Sequence, residues 1–253
     1  ESHAFAFGIT AYQMAWLKYY YPLEFFVGIF NQQPMGFYNL ETLKEDAKRH
    51  GITVLNPDIN HSLEKCTIKD ESLLLGLSYV RGMGNAAASR AVAARDQGGP
   101  FKSLADAMER TGLQREAIEN LVTAGAFDLF NTETANTGAA GRTETTGTPG
   151  KARRTGRRQA LWEVGLRYRP FNTQQPLPLP VEQDMTELPE QSQWETMGEE
   201  YRIMGLYPEG HLMALARPHL RPGILSSRDV DAKADGDIVT VAGLVIRRQR
   251  PLA

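Results

Sequence analysis

The sequence predicts a mainly α-helical chain that closes on a β segment, and three observations carry that expectation. Apolar residues over the first fifty positions recur at the three- and four-residue spacing of a helix face. Two helix–turn–helix patterns follow, one turning on Arg81-Gly82-Met83-Gly84 and the other on Thr111-Gly112-Leu113. Near the end, Ile238, Val239, Val241, Ala242, Leu244, Val245 and Ile246 give a β-branched strand signal.

Taken in order, Ser2 suits an N-cap, and Phe5, Ile9, Tyr12, Trp16 and Tyr20 fall on one helix face, read as core. Tyr21-Pro22 ends that helix, because the residue before proline avoids the α region. Pro22 then suits the first turn of the next helix, with Leu23, Phe26, Val27 and Phe30 inward. Asn39 is placed to cap a third helix that turns Leu40, Leu43 and Ala47 inward and Lys44, Lys48 and Arg49 outward, closed by Gly51. Ile52, Val54 and Leu55 make a short strand before Pro57. His3 at a helix start could meet an anion or act as a surface or capping residue. His50 and His61 lack metal-ligand spacing, and no metal is assigned.

Leu73 to Phe130 is the stretch around which the chain is organised. An apolar lead-in through Leu77 and Val80 reaches Arg81–Gly84, where two glycines turn the chain. A helix is expected from Asn85, as N-cap, to about Arg95. Its first amides lack intrahelical acceptors and sit at the positive end of the dipole, so an Arg-flanked turn of this kind suits an anion such as a DNA phosphate. Ser103 can cap a short helix, Leu104 to Arg110; Thr111-Gly112-Leu113 turns the chain; Gln114 to Ala124 forms the next helix, closed by Gly125. The pair reads as a tandem helix-hairpin-helix module. Its candidate DNA contacts are Arg81, Gly82, Met83, Gly84, Asn85, Arg90, Thr111 and Gly112. The alternative is an ordinary helical hairpin whose glycines serve packing.

Asn131 to Gly150 holds seven Thr, four Gly and almost nothing apolar, which predicts a disordered insert. Lys151 to Arg169 carries seven basic residues against Glu163, a local +6 that would add sequence-independent phosphate contacts or remain a solvated tail. Pro170 to Pro180 is a further linker. Val181 to Glu200 has seven acids and no base, and would shield the basic run or stay solvated. His211 is read as a capping residue. Asp229-Val230-Asp231 falls in an expected loop and Asp235-Gly236-Asp237 in a turn; neither is expected to bind metal.

A net charge of −2 confines any nucleic-acid contact to local patches. One cysteine, Cys66, excludes an internal disulfide framework and any cysteine-rich zinc site, and suits a cytoplasmic protein. No apolar run approaches the ~20 residues of a membrane helix, and no membrane partner is expected. A start at Glu1 and an end just after a strand-like run suggest a fragment.

Several longer motifs carry a family resemblance. Ser2-His3, Ala11-Tyr12, Ala15-Trp16-Leu17-Lys18 and Tyr21-Pro22-Leu23-Glu24-Phe25 resemble the C-family bacterial replicative polymerases, the alpha subunit of DNA polymerase III. Asn31-Gln32-Gln33-Pro34-Met35-Gly36-Phe37-Tyr38 and Asp46-Ala47-Lys48-Arg49-His50-Gly51 are similar to their error-prone branch, which acts in damage-induced synthesis. Gly99-Pro100-Phe101 and Ala124-Gly125-Ala126-Phe127-Asp128 resemble its tandem helix-hairpin-helix module. Arg158 to Gly165 resembles the helix after its tandem module, Met197 to Leu206 and His211 to Leu220 resemble the helices before its oligonucleotide-binding (OB) barrel, with Leu206 to Met213 as the matching stretch, and Val241 to Pro251 resembles the first strand of that barrel, where Arg247, Arg248 and Arg250 would track single strands.

The resemblance implies a domain order: 1–62 end of fingers, 63–130 tandem module, 131–158 insert, 159–222 linker helices, 223–253 start of a truncated OB-type barrel. It implies that the catalytic Asp-x-Asp pair and its Mg²⁺ belong to a palm upstream of Glu1, so this chain alone should hold no catalytic residue, metal or cofactor. Primer–template DNA is the implied partner. Incoming dNTP would be a partner of the full-length polymerase, with Ser2, His3 and Lys18 as positional candidates for its pocket. A sliding clamp and other damage-response proteins are further candidate partners. A stand-alone, non-enzymatic DNA-binding repair scaffold is the alternative function, and protein–protein docking through the helical module a third.

Overall fold

The computed structural model of the chain describes residues 2–36, 38–131, 156–168, 185–186 and 188–245. Most of the Thr/Gly insert, the Pro170–Pro180 linker, Lys151, Arg153, Arg154, Arg169 and the Arg247, Arg248 and Arg250 cluster lie outside the described residues. The chain divides into two units, Glu1–Pro208 and Glu209–Ala253.

In the first unit, helices α1 (Ser2–Tyr20), α2 (Pro22–Asn31) and α3 (Leu40–Arg49) follow the expected order. Pro22 occupies the first turn of α2, and Asn39 caps α3 by accepting from the Thr42 amide at 2.8 Å. Phe26 and Phe30 are buried, as their spacing predicts. The α1 aromatics are not. Phe5 and Tyr12 are 72% exposed and Tyr20 59%, and Ile9 and Trp16 are also exposed, so the core reading of that face is corrected. Helical spacing shows that residues share a face, not that anything covers it.

A second correction concerns Lys44, expected outward but fully buried. Its ammonium meets Glu41 Oε1 at 2.7 Å, Glu45 Oε1 at 2.8 Å and the Tyr207 carbonyl at 2.9 Å.

Strand β1 (Val54–Leu55) pairs parallel with β3 (Ser72–Leu74), which pairs antiparallel with β2 (Thr67–Lys69). Asp70 and Glu71 join β2 to β3, both at positive φ, as two-residue turns that match the strand twist require. Asn31 donates to the Cys66 carbonyl and accepts from its amide, clamping α2 to the sheet. Cys66 is buried, and burial pushes its thiol up to about 11. That value lies above the unfolded one near 9. The stability linked to this thiol is therefore complete below pH 9 and is lost as pH rises toward 11. Cys66 should resist a thiol reagent at pH 8 until denaturant unfolds the chain; prompt stoichiometric labelling of the native protein would refute this packing.

Next come a 3-10 turn (Leu77–Tyr79), α4 (Asn85–Gly98), α5 (Leu104–Thr111), α6 (Arg115–Thr123), α7 (Arg157–Arg167) and α8 (Gln193–Met204). One core runs from Phe26 to Leu206.

In the second unit, α9 (Leu212–Ala216) is capped by His211 Nδ1, which accepts from the Met213 amide as expected. The helix is shorter than predicted and passes into a 3-10 turn at Arg217. Asp229 is not in a loop. It lies in α10 (Ser227–Asp231) and forms a reciprocal cap with Ser226, whose side-chain and then backbone hydrogen bonds hold its carboxyl below the usual carboxylate range. Asp235–Asp237 is a turn. The long strand expected from Ile238 is reduced to β5 (Thr240–Val241), parallel to β4 (Ile224–Leu225). Ile238, Val241 and Val245 stand exposed, so no barrel is formed among the described residues.

Candidate nucleic-acid interface

The first hairpin is a rigid mount with a polar outer edge. Leu77, Val80 and Met83 are buried and anchor it from below. The Arg81 amide donates to the Ile203 carbonyl of α8 at 3.1 Å, and Asn120 Nδ2 of α6 donates to the Arg81 carbonyl at 2.8 Å. Both backbone groups of Arg81 are thus committed while the residue itself is exposed. Gly82 takes φ +82°, the left-handed region that favours glycine. Gly84 does not, and a Cβ built on it would meet nothing within 4 Å.

Gly84, rather than Asn85, is the N-cap of α4, and Asn85 is the first helical residue. The helix also continues beyond Arg95 to Gly98. Among the described residues the amides of Gly84, Asn85 and Ala86 have no backbone acceptor, as expected at an uncapped helix start. Ala88, Ala91, Val92 and Arg95 form the buried stripe of α4, leaving Ala86, Ser89, Arg90 and Ala93 on the outside.

The second hairpin has the expected shape but a different surface. Ser103 caps α5 through the Asp106 amide, and Gly112 closes it in the left-handed region. Thr111 is buried and its hydroxyl donates to the Ala107 carbonyl at 2.7 Å. The Tyr168 hydroxyl donates to the Leu113 carbonyl. Arg115 is paired with Glu119 at 2.7 Å, and Glu116 already places a carboxylate in the first turn of α6. Of the eight expected DNA contacts, Arg81, Gly82, Gly84, Asn85 and Arg90 are exposed, the first four at the first hairpin and Arg90 farther along the outer side of α4. Met83 and Thr111 are packed inside, and Gly112 sits at the self-neutralised second hairpin.

The arginines sort by what they touch. Arg95 donates to the Ser62 and Ile59 carbonyls; Arg110 donates to the Ala94 and Gly99 carbonyls and lies 4.5 Å over the Phe101 ring. Arg157 makes a two-pronged contact with Asp128 and reaches Glu200 at 2.7 Å. Burial opposes its charge, but Asp128 and Glu200 outweigh that and raise it above the usual guanidinium range. Arg158 pairs with Glu195 and Arg167 with Glu163. Arg157, assigned by sequence to the disordered insert, is thus a buried structural residue. For Arg157 and Arg158 the acidic stretch acts as the shield. Arg81 and Arg90 have no ion-pair partner among the described residues.

The nucleotide-pocket candidates are not brought together. His3 stacks beside Phe7 near the start of α1, and Ser2 opens that helix. Lys18 is near its other end, roughly 24 Å from Ser2 at the helical rise per residue. Lys18 pairs with Asp46 at 2.6 Å and lines a cleft of about 400 Å³ with Phe25, Phe26 and Arg49. Among the described residues no group of three His, Cys, Asp or Glu could hold a metal, and no helix is long and apolar enough to cross a membrane.

A family model described as "Helix-hairpin-helix motif" matches residues 51–137. Proteins named error-prone DNA polymerase are similar along 99% of the chain: 33% identical in Mycolicibacterium paratuberculosis and 35% in Nocardia farcinica, each covered over 21% of its own length. One from Alkalilimnicola ehrlichii is 34% identical, with 22% of its length covered. The chain spans about one fifth of the length of the curated relatives it matches. Over its own length, then, the chain is homologous to one segment of the error-prone DNA polymerases, a segment that carries a helix-hairpin-helix motif.

Proposed function

We propose that this chain is a non-catalytic, DNA-gripping portion of an error-prone DNA-directed DNA polymerase, and that the first hairpin holds the backbone of the primer–template duplex. The observation that carries this is the exposed edge of that hairpin. Arg81, just before the leading amides of α4, and Arg90, on the outer side of that helix, have no ion-pair partners among the described residues, and the hairpin is fixed by Ile203 and Asn120. Backbone amides and guanidinium groups suit phosphate oxygens, and such contacts position a duplex without reading its bases. DNA synthesis, with Mg²⁺, an incoming nucleotide and catalytic aspartates, would be the work of the longer protein. Lys18 keeps its reading as a residue near that nucleotide. Val241 and Val245, on one face at the strand period of two, would be covered by further strands of an OB-type barrel.

Arg81→Ala with Arg90→Ala should weaken binding of a labelled primer–template duplex. It should also flatten the slope of log affinity against log salt by about 1.8, roughly 0.9 for each lost phosphate contact. Gly84→Val should weaken binding too, since its side chain would project into open space where a phosphate must approach. The two arginine changes should leave the melting temperature unchanged, whereas Gly84→Val should lower it somewhat, because Gly84 is the N-cap of α4 at φ −10°, where a β-branched residue is unfavourable. Arg115→Ala, at the second hairpin, should leave the slope nearly unchanged. A slope unaltered in the double variant would remove the duplex grip from the first hairpin.

A further inference from the structure

We propose that the cleft beside the first hairpin holds an unpaired strand of DNA, continuous with the duplex gripped at Arg81 and Arg90. This inference rests on the hairpin reading but has its own observations. The cleft measures about 750 Å³, and Asn85, the first residue of α4, lines it. Gln33, Tyr38, Lys65 and Ser78 are also in its wall, and among the described residues no aspartate or glutamate is. In a chain with a net charge of −2, a wall whose described residues include Lys65 and no carboxylate suits an anion.

Each free group has a use for a nucleotide strand. Lys65 is exposed and has no ion-pair partner among the described residues, so it is available to a phosphate. The Gln33 Nε2 atom is buried without a hydrogen-bond acceptor, a costly arrangement unless a ligand supplies one. Tyr38 is 62% exposed, an aromatic ring on which a base of any identity could stack. Asn31, by contrast, is spent on the Cys66 backbone, and Asn39 on capping α3. A cationic groove with an aromatic platform is the pattern of sequence-tolerant single-strand binding. Size argues the same way. The volume is that of a drug-sized ligand, about one or two nucleotides. A duplex, with a major groove alone about 12 Å wide, would not enter.

The test compares the full chain on a blunt duplex, the same duplex with a 5′ single-stranded overhang, and the single strand alone. In the unaltered chain the overhang should add affinity. Tyr38→Ala should lower single-strand and overhang binding roughly five- to hundredfold while blunt-duplex binding stays constant. Lys65→Ala should flatten the single-strand salt slope by about 0.7. Both residues are exposed, so an unchanged melting temperature is the check on folding. The cleft proposal is overturned if the overhang adds nothing, or if both variants weaken the blunt duplex as much as the overhang. Overhang-dependent, Tyr38-dependent binding with no affinity for the blunt duplex would support the cleft while removing the hairpin reading.

Discussion

Arg157→Ala should destabilise the Glu1–Pro208 unit by about 3–5 kcal/mol, the range for removing one partner of a buried ion pair. The guanidinium is 5% exposed and Glu200 is fully buried. Truncating Arg157 leaves Glu200 inside the protein without this cation, and leaves the Thr123 carbonyl and the Asp128 carboxylate without their donor. Arg157→Lys should recover only part of the loss, because a single ammonium cannot copy the two-pronged Asp128 contact. Asp128→Asn should cost less than Arg157→Ala, since the Asp128 side chain is 39% exposed and water can replace some of what it gives. The measurement is the urea midpoint of each variant at constant slope. A loss below about 1 kcal/mol would mean that the pair is solvated and does not tie the elements together. The site gives a physical reason for Ala124-Gly125-Ala126-Phe127-Asp128 as well: a Cβ on Gly125 would collide with the Arg157 guanidinium, and Asp128 receives it.

Arg157 also marks where sequence reasoning ran out. Its neighbourhood, rich in Thr, Gly and Arg, reads as solvated chain, and its partners lie 29 and 43 residues away. Local signals were legible. Asn39 and Ser103 cap the helices they precede, Pro22 opens α2, Gly82 turns the first hairpin, and His211 caps α9. These depend on one turn of chain. Ser192 was legible by the same logic and was overlooked: Ser192 and Glu195 form a full capping box at the start of α8. The β2–β3 hairpin was missed because three-residue strands joined by Asp70-Glu71 carry no Asn-Gly or Gly-rich turn signal. At the interface, sequence could name Arg81 and Arg90 but not separate them from Arg95, Arg110 and Arg157. That separation depends on which carbonyls and carboxylates the fold brings to each guanidinium.

Lys44→Ala is the second large effect, again about 3–5 kcal/mol, and it probes a different junction. Lys44 sits on α3, yet it donates to the Tyr207 carbonyl 163 residues away. Its partner Glu41 accepts from the Tyr201 hydroxyl at 2.7 Å and from the Tyr207 amide at 3.2 Å. The network therefore joins α3 to α8 and to the chain just beyond it. Without the ammonium, Glu41 would remain buried as an anion with neutral donors only. Lys48, held below the usual lysine range by its partial burial and by the Lys44 charge, should titrate higher in the variant. Adding Glu41→Gln to Lys44→Met should recover part of the loss, because the buried negative charge goes while an amide oxygen can still accept from Tyr201 or Tyr207. The energies of the two changes should thus be strongly non-additive. Additive losses, within about 0.5 kcal/mol, would mean that Lys44 and Glu41 do not act as a pair. In that case apolar packing, not the ion pair, would hold α3 in the core, and the buried lysine would lack a stabilising role.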